Sequence, residues 1–592
     1  MLKFPMIVSV CLFFPSLACA ADSQDAFRWF PVQKAPSAVV HSVPAGAFER
    51  TPDPTDNNAQ PTGEIAHMLV QSLCGLTAKA VNEGTLDEMI WIEDVRADYK
   101  FWHDGVVKRL GLETRGTFSP EQLLRRYADK GLIKGYILYR YDWSKGRPYH
   151  HRQDEDDSVN VATTLAGPMH AVLIEVSQEP LAQSLGLKKL FDAREKDMQW
   201  VYDNYKDKLN RNVLLTVDPK VANERGLAIA YDIAAVYGTD KITEAFCARM
   251  TAPGLILGWN VGDESEHTGL ASDYGHIQTA SNWAYNIWLL LADSQNNKLP
   301  RLKNIDPKTI DWNDPRTPVS YVMSDGDNLQ WLMGGFFFNP SYWANPHRNR
   351  FASDWTACIV HLAQACPEAL NYLAQTRGEA TGIIEYGGGY HYPDRMGIKR
   401  DNRPEILKLH AQRVGRYLKE ANVRVFGFLC KDVASPAAQE AYAVYAKHIE
   451  GLVGMVAFQY YPYNGGKGEV FWVKNAAGVE IPVVTGTHSI WKDAHWFCGG
   501  DPLQVAEMIN TGDSCAKTQD FALIPVHAWS YFDAQQGHEG QQAERGLTPV
   551  KWSVDQLDKT RFNVVTAEEL IWRLRMKHNP QQTRKLLESE SN

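Results

Sequence analysis

The feature that most constrains this chain is a series of short runs that are apolar throughout, separated by stretches with helical patterning. Beyond residue 318 the runs are VSYVMS, ATGIIEY, VRVFGFL, GMVAFQYY, PVVTGT, FALIPVHAW and FNVVT. A strand with one wet face alternates apolar and polar side chains. These runs do not, which is the mark of parallel strands buried on both faces. Helix candidates lie between many of them, over Trp355 to Gln375, Pro404 to Ala421, Pro436 to Ile449, Pro502 to Asn510 and Ala567 to Lys577. The expected class is α/β, and seven such strands in series predict a distorted or incomplete (β/α) TIM-barrel-like domain. An open doubly wound sheet is the alternative.

The first half alternates in the same way. EMIWIED, LIKGYILY, HAVLIEV, NVLLTV and GLILGW read as strands, and Ala193 to Leu209 and Gly226 to Tyr237 as helices. FSPEQLLRRYADKG has a marked helix start: Ser119 as cap, Pro120 in the first turn and Gln122 completing a capping box. A polar stretch with Pro300, Pro307, Pro315 and Pro318 marks a boundary. The expected organisation is a leader at 1–20, an extended Pro-rich lead at 21–64, an N-terminal α/β domain at 65–296, a linker at 297–318, the barrel-like domain at 319–577 and a frayed tail at 578–592.

The leader reads as a secretory signal: Lys3, an apolar run from Met6 to Leu17, then Ala18-Cys19-Ala20 as a small-x-small cleavage site. It is shorter than the roughly 20 apolar residues of a membrane span. The chain is therefore expected in the periplasm or outside the cell, cut after Ala20, with a lipid anchor on Cys19 as the second reading. The formal net charge of −9 argues against nucleic acid as a partner. Seven of nine cysteines lie beyond the leader, an odd number that leaves at least one unpaired. Cys498 and Cys515 sit in loop-like sequence and are candidates for a bridge. Cys358 and Cys366 would stand about 12 Å apart on an unbroken helix, too far to pair.

In parallel α/β folds ligands bind beyond the C-terminal ends of the strands. There this sequence places Asp325-Gly326-Asp327-Asn328, Glu385 with GGGYHYPD, Lys431-Asp432, Tyr460 to Asn464, His488, and His527 with Trp529. GGGYHYP, Gly387 to Pro393, carries the pattern GxGYxYP. With the upstream SDGDN, the segment Gly258 to Glu264 and the closing NVVTAEELIWRLR, it resembles the GxGYxYP family of glycoside hydrolases, from about Ala66 to Arg575. The resemblance implies an exported, carbohydrate-active protein with an N-terminal α/β domain and a C-terminal signature domain.

Hydrolysis of a glycosidic bond needs one carboxylic acid to protonate the leaving oxygen and a second carboxylate as nucleophile or as base for water. Asp325, Asp327 and Glu385 are the candidates; repulsion between the two aspartates would raise one pKa and suit it to the acid role. Asp263-Glu264 reads instead as a helix cap or interface, and Asp432 as a helix start. Asn328, Tyr390, Tyr392, Tyr461, His488, His527 and Trp529 are candidate substrate contacts, since tyrosine and tryptophan offer a flat apolar face with a polar edge. No cofactor is expected on this reading. Under the alternative, His488 and His527 join Asp325 and Asp327 to hold a divalent metal for metal-assisted hydrolysis. A third reading keeps the aromatics for a non-catalytic carbohydrate-binding protein.

Overall fold

The computed structural model describes residues 27–43, 62–141, 156–295, 298–460, 463–492, 494, 498–533 and 543–589. The leader, its cleavage site and Cys19 lie outside these residues. The first half holds three parallel sheets. β1 (Ala38–Ser42) lies between β2 (Glu88–Ile92) and β3 (Glu113–Phe118), and β4 (Gly135–Tyr139) lies between β5 (Ala171–Glu175) and β6 (Lys189–Asp192). β7 (Val213–Thr216), β8 (Ala235–Val236), β9 (Leu255–Gly258) and β10 (Ile277–Thr279) follow the order β10-β9-β7-β8.

The second half forms one eleven-stranded sheet, curled into a half-barrel. Its strands are β11 (Thr317–Met323), β12 (Ser353–Ala357), β13 (Thr381–Tyr386), β14 (Val425–Phe428), β15 (Gly454–Ala457), β16 (Val470–Lys474), β17 (Glu480–Thr485), β18 (Ser489–Ile490), β19 (Gly499–Gly500), β20 (Ala522–Val526) and β21 (Phe562–Val564). The order is β16-β17-β15-β14-β13-β12-β11-β20-β18-β19, with β21 paired to β11. Among these pairs β16 runs antiparallel to β17; the others are parallel. The α/β class and the incomplete barrel expected from the apolar runs are what the chain adopts.

Two hydrophobic cores explain why the strands lack alternation. Ile524, Phe426 and Met455 belong to a large core shared with the first half, while Leu523, Val425 and Val456, their neighbours along the strands, face a smaller core inside the half-barrel. Each fully buried side chain of this size contributes roughly 1.5–3 kcal/mol, so both faces select apolar residues. The helix Ala567–His578 closes the small core with Leu570, Ile571 and Trp572.

Several expectations change. The lead is more than extended chain, because Ala38–Ser42 is the central strand of its sheet. Trp355 to Gln375 is not one helix: Ser353–Ala357 is a strand, and helices Ile359–Ala365 and Pro367–Thr376 meet at Cys366, ahead of Pro367. SDWTA is too short and too polar at its start to register as a strand, although all five of its residues are buried. The helix expected over Gly226 to Tyr237 covers Arg225–Ala230 and gives way to β8. The tail is a helix, Pro580–Ser589, with Thr583 buried and Leu587 packed on the small core. The capping box of Ser119 and Gln122 forms as read, and Cys498 and Cys515 are bridged.

The halves interlock. The large core runs from Trp29 to Phe562, Trp102 donates its indole N–H to the carbonyl of Met333 at 2.7 Å, and Arg395 holds Asp273 through two bonds of 2.6 Å. β10 pairs with the GGGYHYP segment through Gln278 and Tyr390, with N–H to O distances of 2.9 and 2.6 Å. No helix among the described residues is long and apolar enough to cross a membrane.

Candidate active site

At the C-terminal end of the half-barrel, where the small core reaches the surface, a cavity of about 370 Å³ opens between the two halves of the chain. Four carboxylates line it: Asp263 and Glu264 after β9, and Asp325 and Asp327 after β11. Its walls are largely aromatic, with Trp259, Tyr386, Tyr390, Phe458, Tyr460, Tyr463, Trp491 and Trp529.

The strand-end turn that carries the aspartates is locally unusual. Asp325 has a left-handed backbone, φ 67°, a conformation uncommon outside glycine but tolerated by Asp and Asn. Its carboxylate accepts from the Ser324 hydroxyl and, at 3.3 Å, from the N–H of Ala528 after β20. Gly326 is required by contact, since a Cβ there would stand 2.1 Å from the carbonyl of Thr356 on β12. Asp327 is more buried than Asp325. Burial, then the charges of Asp325 and Glu264, hold the Asp327 carboxyl well above the usual carboxylate range.

Glu264 opens the helix Glu264–Asp273, and Asp263 caps it by accepting from the N–H of Ser265 at 2.7 Å. Burial, then the charges of Asp325 and Asp263, push Glu264 up to about 7. The hydroxyls of Tyr390 and Tyr463 both donate to its Oε1, the second at 3.4 Å, and Tyr392 joins through Tyr463 with hydroxyls 2.9 Å apart. The two tyrosines of the motif thus converge on Glu264. They are aimed there by a turn of three consecutive left-handed glycines, Gly387, Gly388 and Gly389, at φ 68°, 70° and 126°. These glycines make room for protein rather than ligand: a Cβ on Gly389 would lie 2.9 Å from the His361 ring.

Glu385 does not line the cavity. Side chains alternate along β13, so Ile384 and Tyr386 face the small core and Glu385 points the other way. Its carboxylate accepts from the N–H of Gly388 at 2.9 Å and of Val360 at 3.2 Å, tying the glycine turn to the helix Ile359–Ala365. Burial raises it to about 8.

Of the expected substrate contacts, Asn328, Tyr390, His527 and Trp529 line the cavity. Asn328 also caps the helix Leu329–Met333 by accepting from Trp331 N–H. Tyr392 is fully buried behind the wall, and Tyr461 lies outside the described residues. His488 does not reach the cavity. Thr487 pairs twice with the backbone of Leu523 on β20, and His488 is buried beside it with Nδ1 3.0 Å from the Thr487 hydroxyl. His527 stacks on Trp491 at 3.9 Å with its Nδ1 2.7 Å from Ser530, and burial keeps the imidazole below its ordinary value against the pull of Asp325. The metal reading therefore lacks one of its two histidines, and among the described residues no group of three or more His, Cys, Asp or Glu stands together as a metal centre.

Sequence reasoning missed Glu264 as a cavity residue, along with Trp259 and Trp491. The signal was present: Gly258 to Glu264 comes after an apolar strand in the same way that SDGDN does. The capping role, correct for Asp263, masked its neighbour.

Fold and cavity together define a parallel α/β protein with a carboxylate-rich, aromatic-walled site at its strand ends. Residues 317–575 match the family model described as the GxGYxYP putative glycoside hydrolase C-terminal domain, and residues 133–209 match the GxGYxYP_N second domain. The chain belongs to the GxGYxYP family. A crystal structure of a putative hydrolase from Bacteroides thetaiotaomicron shares the fold, with a TM-score of 0.72 at 18% identity, over 93% of this chain and 96% of that one. A domain of unknown function from Bordetella bronchiseptica, crystallised with citrate, aligns at a TM-score of 0.13 and 10% identity over 76% of this chain and 94% of that one, too low to bear on the fold. No curated protein matches the chain.

Proposed function

We propose that this protein is a glycoside hydrolase acting in the cavity between its halves, with Asp325 and Glu264 as the working pair. Asp325 supplies the second carboxylate, as nucleophile or as base for water, and Glu264 protonates the leaving oxygen. Asp327 keeps its proton and donates a hydrogen bond to the sugar. The neutral His527 ring offers Nε2 to a hydroxyl, and Trp259, Tyr460, Trp491 and Trp529 supply flat apolar faces.

The observation that carries the reading is the set of four carboxylates in one aromatic-walled cavity, two of which, Glu264 and Asp327, hold protons above the ordinary carboxylate range. Environments that push neighbouring carboxyls apart are how one site runs acid and base roles together. A non-catalytic carbohydrate-binding site would need the aromatics but not the clustered, mutually repelling acids.

The test is a glycan panel assayed for released reducing ends with wild type and Asp325→Asn. Asn tolerates the left-handed backbone and preserves the turn, so the variant stays folded and binds the glycan. Its turnover should fall by about a hundred- to ten-thousand-fold. Near-wild-type turnover removes Asp325 from the mechanism; glycan binding without any released ends by wild type favours the binding protein. Export is proposed with this function, and N-terminal sequencing of the secreted chain should begin at Ala21. A lipid-modified Cys19 would replace cleavage by anchoring.

A further inference from the structure

A second cluster of ionisable side chains stands on the three-stranded sheet of the first half, apart from the cavity. His41 lies near the end of β1, in register with Trp91 on β2. His103 comes from the helix Ala97–Leu110. Their Nε2 atoms face each other at 3.2 Å, with the rings 84° apart. Behind each ring sits a carboxylate: Glu93 is 2.6 Å from Nδ1 of His41, and Asp104 is 3.0 Å from Nδ1 of His103.

A carboxylate only accepts hydrogen bonds, so both contacts place the imidazole proton on Nδ1. In the neutral rings this aims two Nε2 lone pairs at one another, a repulsion that a cation between them removes. We propose that His41 and His103 together bind one divalent transition-metal ion of the zinc class through Nε2. Two nitrogens on a tetrahedral zinc stand about 3.3 Å apart, given Zn–N bonds of about 2.0–2.1 Å. A carboxylate on the far nitrogen is the usual outer partner of a ligating histidine, fixing tautomer and orientation. Imidazole donors favour zinc, copper or nickel over magnesium and calcium. Two protein ligands leave the other positions to water.

The test titrates zinc chloride into chelator-treated, tag-free protein at neutral pH by calorimetry. Nickel quenching of Trp91, whose ring lies 5.0 Å from His103, gives a second readout. Wild type should take up one ion at this site. His103→Gln should abolish that uptake and the quenching, with circular dichroism confirming the fold. Glu93→Gln, a change at a partly exposed side chain, should weaken binding by about 10- to 100-fold. Wild type that binds no zinc, leaving the rings bridged by a proton alone, overturns the proposal. So does a folded His103→Gln that retains the site. Should that variant fail to fold, unchanged affinity in Glu93→Gln overturns it instead.

Discussion

Glu264 and Tyr390 meet where the two halves of the chain meet, and their contact ties the family motif to the cavity. Tyr390 donates to a carboxylate that burial and neighbouring charge drive up to about 7. If Glu264 is the proton donor, hydrolysis requires its protonated form and declines as pH rises through about 7. Glu264→Gln should remove that alkaline limb and lower turnover by at least about a hundred-fold. Tyr390→Phe takes away a hydrogen bond that favours the ionised form, so the pKa rises and the limb moves to higher pH. A pH profile of kcat for the three proteins checks both outcomes. A limb that stays in place in Glu264→Gln assigns it to another group.

At the scale of elements, the motif loop is braced from below. β13 ends in Glu385, whose two oxygens accept from Gly388 and Val360, and the next residues turn through three left-handed glycines before Tyr390 pairs with β10. Above about pH 8, where Glu385 is ionised and both its oxygens accept, Glu385→Gln keeps one acceptor but sets an amide NH2 against a backbone N–H. The expected cost is about 1–3 kcal/mol of stability, the range for a buried donor left unpaired. Turnover should fall far less than in Asp325→Asn, because Glu385 does not touch the cavity. Chemical denaturation and kcat measured together decide this: a large loss of kcat with unchanged stability would return Glu385 to the mechanism. The strands of the half-barrel were legible because each is apolar on both faces. β12 was not, since SDWTA buries Asp354 and Thr356 among polar partners: Ser320 donates to Asp354 at 3.1 Å, and so does the N–H of Ala567 at 2.7 Å. Those partners come from distant segments, and hydrophobic patterning does not register them.

For the molecule as a whole, buried acids and histidines set the pH dependence of stability. Burial raises Glu264, Asp354 and Glu568 to about 7 and Glu224 and Glu385 to about 8. The folded protein holds these protons where the unfolded chain, at about 3.9 for Asp and 4.3 for Glu, has lost them. Their contribution is full below those unfolded values and is lost as pH rises through about 7 and about 8. Burial acts oppositely on histidine, lowering His67 and His361 to about 3 and His267, His276, His391 and His488 to about 4. That contribution is full above about 6.5 and is lost as pH falls toward the folded values. Below about pH 6.5 the two sets oppose each other; above it the acids act alone, so the melting temperature should be highest at about pH 6 and fall toward pH 8. Calorimetric scans across that range check it, and a melting temperature that rises from pH 6 to pH 8 would show that these carboxyls ionise freely in the folded state.

The sequence by itself determined the α/β class, the incomplete barrel, the Ser119–Gln122 capping box and the rim on which Asp325, Asp327, His527 and Trp529 stand. Each is written in local terms: apolar runs, cap residues and the few positions just past a strand. Only the tertiary structure decided which carboxylates share a cavity. Glu385 was excluded by the one-residue parity of β13, which turns it toward Val360. Glu264 was included because the first half of the chain folds back onto the second. His488 was withdrawn by the Thr487 contacts with β20. Parity at a strand end and contact between segments 36 to 126 residues apart are properties of packing, and no spacing along the chain encodes them.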